Sequence, residues 1–180
     1  MTNHIFVFSG LPAAGKSTVA AALLSHFPLG LHIPVDTIRN WVISGLSDPI
    51  GSWDPETEQQ FRLARQAAVQ IALTYAAAGF AVVIDDVIMP EHYETHYQPH
   101  FREYSPWQIM LRPIAETALA RNTQRMKESH ITELNKLIML IDDYLNRFDL
   151  PILGWHVVDN SNMSVEATVK EILSSVIPDW

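Results

Sequence analysis

Gly10-Leu11-Pro12-Ala13-Ala14-Gly15-Lys16-Ser17 follows the apolar run Ile5-Phe6-Val7-Phe8 and opens onto Thr18-Val19-Ala20-Ala21-Ala22-Leu23-Leu24. The first run is short and β-favouring, and Ser17 to His26 favours helix through its Ala and Leu content. The junction therefore reads as strand, glycine turn, helix. The turn fits G-x-x-x-x-G-K-[ST] at every fixed position and lies where that motif has to lie. Glycines there tolerate positive φ and close approach, so backbone N–H groups can converge on a β-phosphate, and a helix N-terminus adds a favourable field. Residues Gly10 to Thr18 are thus expected to cradle Mg·ATP, with Lys16 bridging the β- and γ-phosphates and the Ser17 hydroxyl a ligand to Mg²⁺. A glycine turn that merely caps a helix is the ordinary alternative.

Outward from this loop the pattern alternates. Leu31 to Val35 is a second apolar run ending on Asp36, followed by a predicted helix over Thr37 to Ile43 and a Gly- and Pro-containing loop over Ser44 to Asp54. Pro55 to Ala78 reads as a long helix, with proline in its first turn, Glu56 and Glu58 near its start and Gly79 past its end. Phe80 to Ile84 is a continuous apolar run closing on Asp85 and Asp86, as expected of a strand covered on both faces. Trp107 to Leu111 and Trp155 to Val158 add two strands. Helices are predicted over Ile114 to Lys127, Thr132 to Phe148 and Val165 to Val176. Strands alternating with helices, and the glycine turn after the first strand, predict an α/β, three-layer P-loop NTPase fold with a five-stranded, mostly parallel sheet and helices on both faces.

Composition narrows the class. A length of 180 residues at 48% hydrophobic suits one domain over 1–180 with a covered central sheet. A formal net charge of −8 opposes a protein whose main task is coating nucleic acid. With no cysteine, disulfides and thiolate metal sites are impossible. The N-terminus lacks a basic n-region, and no apolar stretch reaches the roughly 20 residues of a membrane span, so a cytoplasmic location is expected.

Acids at strand ends carry the next expectations. Asp85 closes an apolar strand, the placement of a Walker B acid that holds Mg²⁺ directly or through water. Asp86 is a second candidate on the substrate side, although adjacent strand residues point to opposite faces. Either acid could instead cap a turn. Asp36 ends a neighbouring strand, where carboxyl ends gather around a ligand crevice. It could take a proton from an acceptor hydroxyl, or serve as a helix N-cap. Arg121 and Arg125 lie four apart on a predicted helix and could reach one transferring phosphoryl group, or form a solvated face. Arg39 and Arg112 are further cationic candidates.

Together these pieces resemble the P-loop kinase family that includes chloramphenicol phosphotransferase and the kinase domain of phage polynucleotide 5′-kinase. The matching segments are Gly10 to Thr18, Val35-Asp36-Thr37-Ile38-Arg39, Val82 to Val87, and the lid-like Arg121-Asn122-Thr123-Gln124-Arg125. The resemblance implies that Asp36 is the general base toward the acceptor hydroxyl. The segment Ile84-Asp85-Asp86-Val87 looks closest to the chloramphenicol phosphotransferase version, whereas Arg39 three residues after Asp36 looks like the polynucleotide-kinase pattern. The resemblance further implies a small helical lid near 118–135 and an adenine-contacting loop after the last strand, where Asp159-Asn160-Ser161 stands; Asn160 is the candidate contact.

The expectation is an ATP- and Mg²⁺-dependent kinase for a small hydroxyl-bearing acceptor, with regions 37–62 and 87–106 shaping the acceptor site. A polynucleotide 5′-hydroxyl kinase and a regulatory ATP-binding module that transfers nothing are the alternatives. His92, His96 and His100 recur every four residues, but Pro99 breaks the helix that would align them, so no metal site is assigned there.

Overall fold

The computed structural model describes residues 4–49, 53–101, 104–125 and 131–177. Five strands, β1 (Ile5–Gly10), β2 (Gly30–Pro34), β3 (Ala81–Asp85), β4 (Trp107–Leu111) and β5 (His156–Val158), form one sheet in the order β2-β3-β1-β4-β5. Every pairing is parallel. The central strand β1 is buried along its whole length, as is β3, which is why both read as unbroken apolar runs.

Among the described residues, eight helices connect and cover the strands: α1 (Lys16–Leu24), α2 (Val35–Arg39), α3 (Pro55–Ala77), α4 (Pro90–His96), α5 (Gln98–Phe101), α6 (Ala115–Arg125), α7 (Ile131–Leu145) and α8 (Val165–Val176). Right-handed crossovers decide their faces. The step from β1 to β2 runs toward one edge of the sheet, whereas β2 to β3, β3 to β4 and β4 to β5 all run toward the other. Helix α1 therefore lies on one face, where α8 packs against it, and the helices from α2 through α7 serve the opposite face. The loops leaving β1 and its neighbours diverge at the carboxyl ends of the strands, opening the crevice typical of such a switch point.

Local signals account for the element ends. Asp54 caps α3 by accepting from Thr57 N–H at 2.7 Å, and Pro55 occupies the first turn. Ser164 caps α8 through Ala167 N–H. Beyond β3, Ser9 Oγ donates to the Ile88 carbonyl at 2.9 Å and accepts from Ile88 N–H at 3.1 Å. That reciprocal pair pins the segment after β3 to the end of β1, so the two acids sit at a fixed distance from the glycine turn.

Two boundaries differ from expectation. The helix after β2 spans only Val35–Arg39, with Pro34 in the cap position, so Asp36 lies inside its first turn rather than at the N-cap. The region 87–106 holds two short helices, α4 and α5, separated at Tyr97. Pro99 falls in the first turn of α5, where its missing N–H costs nothing.

Candidate active site

Between β1 and α1 the chain turns through positive φ at Gly10 (137°), Ala13 (62°) and Gly15 (93°). Gly10 is required by packing as well as by φ: a Cβ there would stand 2.0 Å from the Leu111 carbonyl oxygen on β4. The turn between Leu11 and Ala14 is closed by Ala14 N–H donating to the Leu11 carbonyl at 3.1 Å. Leu11, Pro12, Ala13 and Ala14 thus form a compact loop that feeds directly into the N-terminus of α1, with Lys16, Ser17 and Thr18 in its first turn. A concave run of N–H groups ending on a helix N-terminus is a fitting receptor for phosphate. Lys16 folds over it, its Nζ donating to the Gly10 and Leu11 carbonyls at 3.2 and 3.0 Å.

Ser17 and Asp85, the two residues expected to hold a metal, are in contact. Ser17 Oγ donates to Asp85 Oδ2 at 2.6 Å, which leaves the hydroxyl lone pairs for a cation. His32 on β2 reaches the same oxygen through Nε2 at 3.2 Å. Burial alone would raise the Asp85 carboxyl. The His32 hydrogen bond, the Lys16 charge and the Ser17 bond outweigh it and hold the group below the usual carboxylate range. One hydroxyl beside one ionised carboxylate, at the mouth of a phosphate cradle, is a donor set suited to Mg²⁺ shared with nucleotide phosphates.

Asp36 shares this electrostatic field. Its carboxyl is raised above the usual range, first by desolvation in the crevice and then by the charge of Asp86, with Lys16 and Arg39 opposing. Neighbouring Asp86 points elsewhere. Its Oδ2 accepts from Arg65 Nε at 2.7 Å and from the Tyr97 hydroxyl at 3.0 Å, and its Oδ1 accepts from Val87 N–H at 2.8 Å. Burial pushes the Tyr97 phenol well up, keeping it a donor. Arg65 also approaches His96 Nδ1 at 3.2 Å.

Arg39 is buried, donates to the Ser47 carbonyl at 2.8 Å and lies over the Phe61 ring at 4.8 Å. Phe61 stacks on Trp53 at 5.0 Å. Arg112 sits apart from this group, donating to Asn146 Oδ1 at 2.7 Å.

On the far side of the glycine turn, a cavity of about 210 Å³ is lined by Ala14, Thr18, Val19, Arg121, Asn160 and Val165, among others. Asn160 Nδ2 donates to the Ala14 carbonyl at 2.9 Å, tying the loop after β5 to the glycine turn. Its buried Oδ1 has no partner among the described residues. Arg121 donates to the carbonyls of Ala14 at 3.3 Å and Asn160 at 2.9 Å. The structure thus places Arg121 at this cavity, beside the turn's outer edge. The Arg125 side chain and residues 126–130 of the expected lid lie outside the described residues.

The expected residues therefore divide into three clusters: the phosphate turn with Ser17 and Asp85; Asp36 with Asp86 and Arg39; and Arg121 with Asn160. Sequence reading missed His32, Arg65 and Tyr97. Arg65 had a signal, since it shares the helical stripe of Phe61, Ala68, Val69 and Ala72, all buried. A charge on an apolar stripe implies a buried partner. His32 had none beyond its place on a strand.

A parallel sheet with the G-x-x-x-x-G-K-S turn on its first strand and helices on both faces defines a P-loop kinase fold. The chain belongs to the chloramphenicol phosphotransferase-like protein family, whose model matches residues 3–132. It is accordingly a kinase, and the family and fold point to nucleotide use and a small-molecule substrate. No curated protein matches the sequence. Similar solved structures include the Deinococcus radiodurans tunicamycin resistance protein, at 15% identity and TM-score 0.68 over 97% of this chain and 96% of that one. A sugar kinase from Janibacter is 17% identical with TM-score 0.66, covering 96% and 93%. Shikimate kinase from Bacteroides thetaiotaomicron is 12% identical with TM-score 0.65, covering 94% and 96%. No described helix is long and apolar enough to cross a membrane.

Proposed function

We propose that this protein transfers the γ-phosphate of Mg·ATP to a hydroxyl of a small organic acceptor, with Asp36 as general base. The observation that carries the reading is the contact of Ser17 with Asp85 beside the glycine turn, with Asp36 near enough to feel the charges of Lys16, Asp85 and Asp86. Asp85 is held ionised beside Ser17, and Asp36 is held more basic than an ordinary aspartate. Environments that push two carboxyls apart separate a metal-binding role from a proton-accepting one.

The chain's own residues then have distinct tasks. The backbone N–H groups at the end of the turn and the start of α1, from Gly15 to Thr18, hold the nucleotide phosphates. Lys16 leaves its two carbonyl partners to meet the β- and γ-phosphates. Ser17 and Asp85 would hold Mg²⁺, which when bound neutralises charge on the transferring group. Asp36 accepts the proton of the acceptor hydroxyl as its oxygen bonds to the γ-phosphorus and the bond from that phosphorus to the bridging oxygen breaks, releasing ADP. Asp86, already bonded to Arg65 and Tyr97, acts on the acceptor side through its charge, by making Asp36 a better base. Arg39 supports the acceptor pocket by bracing Phe61.

Asn160 and Arg121 fit the base end of the nucleotide. The free Oδ1 of Asn160 suits an exocyclic amino group, and the Arg121 guanidinium covers the cavity wall. Compensation of phosphoryl charge falls to Lys16 and, in this reading, to Arg125. The stacked Trp53 and Phe61, with exposed Trp41, Ile43 and Leu46 nearby in sequence, suit an acceptor with apolar surface.

The test is transfer of label from γ-labelled Mg·ATP to a panel containing chloramphenicol, nucleosides, sugars and a 5′-hydroxyl oligonucleotide. A labelled small molecule supports the proposal. Label on the oligonucleotide alone would reassign the acceptor, and ATP binding without any transfer would favour a regulatory module.

A further inference from the structure

We propose that His32 is a positioning residue for the metal-binding acid, holding Asp85 in the carboxylate orientation that Mg²⁺ requires. The inference rests on the reading of Asp85 as the acid that holds the metal. Strand register supplies the geometry: on the paired strands β2 and β3, His32 stands opposite Val83 and Pro34 opposite Asp85. Val83 and Asp85, two apart, share a face of the sheet, so His32 lies on that face one pleat behind the acid. Its ring leans forward along the strand to put Nε2 3.2 Å from Asp85 Oδ2.

An ionised aspartate accepts only, so Nε2 carries the proton and donates. Ser17 Oγ donates to the same oxygen from the other side at 2.6 Å. Two donors from two different elements, β2 and α1, therefore fix Oδ2 and leave Oδ1 as the oxygen for the metal or its water. The Asp85 side chain is 4% exposed and that of His32 is 23% exposed, so the pair sits at the crevice edge, where a packing role alone would not need an imidazole. Outer partners of this kind typically hold about 10–100-fold of metal affinity or activity.

The experiment compares His32→Leu, His32→Gln and Asp85→Asn with the parent protein. ATP binding is measured by calorimetry in Mg²⁺ and in EDTA, and the Mg²⁺ concentration for half-maximal turnover is recorded. His32→Leu should raise that concentration about 10–100-fold while ATP affinity in EDTA is unchanged. His32→Gln, which keeps an N–H donor at similar reach, should recover most of the loss. A His32→Leu protein with unaltered Mg²⁺ dependence, while Asp85→Asn loses it, overturns the positioning role and leaves the metal acid standing. Equal loss of affinity in EDTA assigns His32 to packing and also overturns it. Unaltered Mg²⁺ dependence in Asp85→Asn overturns the metal acid and this inference together.

Discussion

Arg65 Nε lies 2.7 Å from Asp86 Oδ2, and the two side chains are only 1% and 2% exposed. A charge pair so deep ties the middle of α3 to the end of β3, immediately beside Asp85. Burial works against the Arg65 charge, but Asp86 outweighs it and the guanidinium is held more firmly protonated than usual. The pair thereby anchors α3 to the segment that carries Asp85.

Breaking that pair from one side should be costly. Arg65→Met or Asp86→Leu alone leaves a buried charge unmatched and should lower unfolding free energy by about 3–5 kcal/mol. The double variant should recover much of the loss, giving a coupling energy in a double-mutant cycle well above that of surface pairs such as Lys136 and Glu133. Denaturant unfolding measures all four corners.

Two glycines with positive φ should respond differently to alanine. At Gly79 (φ 88°) an added Cβ meets nothing within 4 Å, so Gly79→Ala should cost only the left-handed penalty of about 1–2 kcal/mol. At Gly10 the same change drives a Cβ to 2.0 Å from the Leu111 carbonyl and must separate β1 from β4. Gly10→Ala should therefore be the more destabilising of the two and should also weaken nucleotide binding, read from thermal unfolding with and without ATP.

Asp36 couples stability to activity in opposite directions. Its folded pKa is raised, so the ionised form is less favourable in the folded than in the unfolded chain. This cost is present at neutral pH and disappears as pH falls through the raised value. Asp36→Asn should then melt higher than the parent at pH 7 while losing turnover. For the parent, the acid limb of the kcat/KM profile should lie above the usual aspartate range, since the base must be ionised to accept a proton.

Asn160→Ala removes the bond to the Ala14 carbonyl and an Oδ1 that has no partner among the described residues, beside the cavity proposed to take the base. Loss of about 1–1.5 kcal/mol of binding corresponds to a rise in the KM for ATP of roughly tenfold, with kcat little changed. A fall in kcat with constant KM would place Asn160 in the phosphoryl step instead.

The phosphate turn, the five strands and the acids at their ends were legible because each is a local pattern: a fixed spacing of glycines, an apolar run, an acid at its close. Ser17 and Asp85 meet because β1 and β3 are parallel neighbours, with Asp85 opposite Phe8, two residues before the glycine turn begins. The segment 87–106 was not legible, since α4 has seven residues and α5 four, too short to show helical periodicity. Arg121 lines the cavity beside the turn with Thr18 and Asn160, a placement that depends on where α6 crosses the turn and that spacing does not encode. The partners of Asp86 lie 21 and 11 residues away in sequence, on α3 and just after α4, and only the fold brings them together.

The most direct test is a paired measurement on the parent and Asp36→Asn: ATP affinity, and transfer of the labelled γ-phosphate to an accepting hydroxyl compound. The account predicts equal ATP affinity and a loss of transfer of about 10²–10⁴-fold in the variant. Transfer at the parental rate, or a loss of transfer matched by loss of ATP binding, would contradict it.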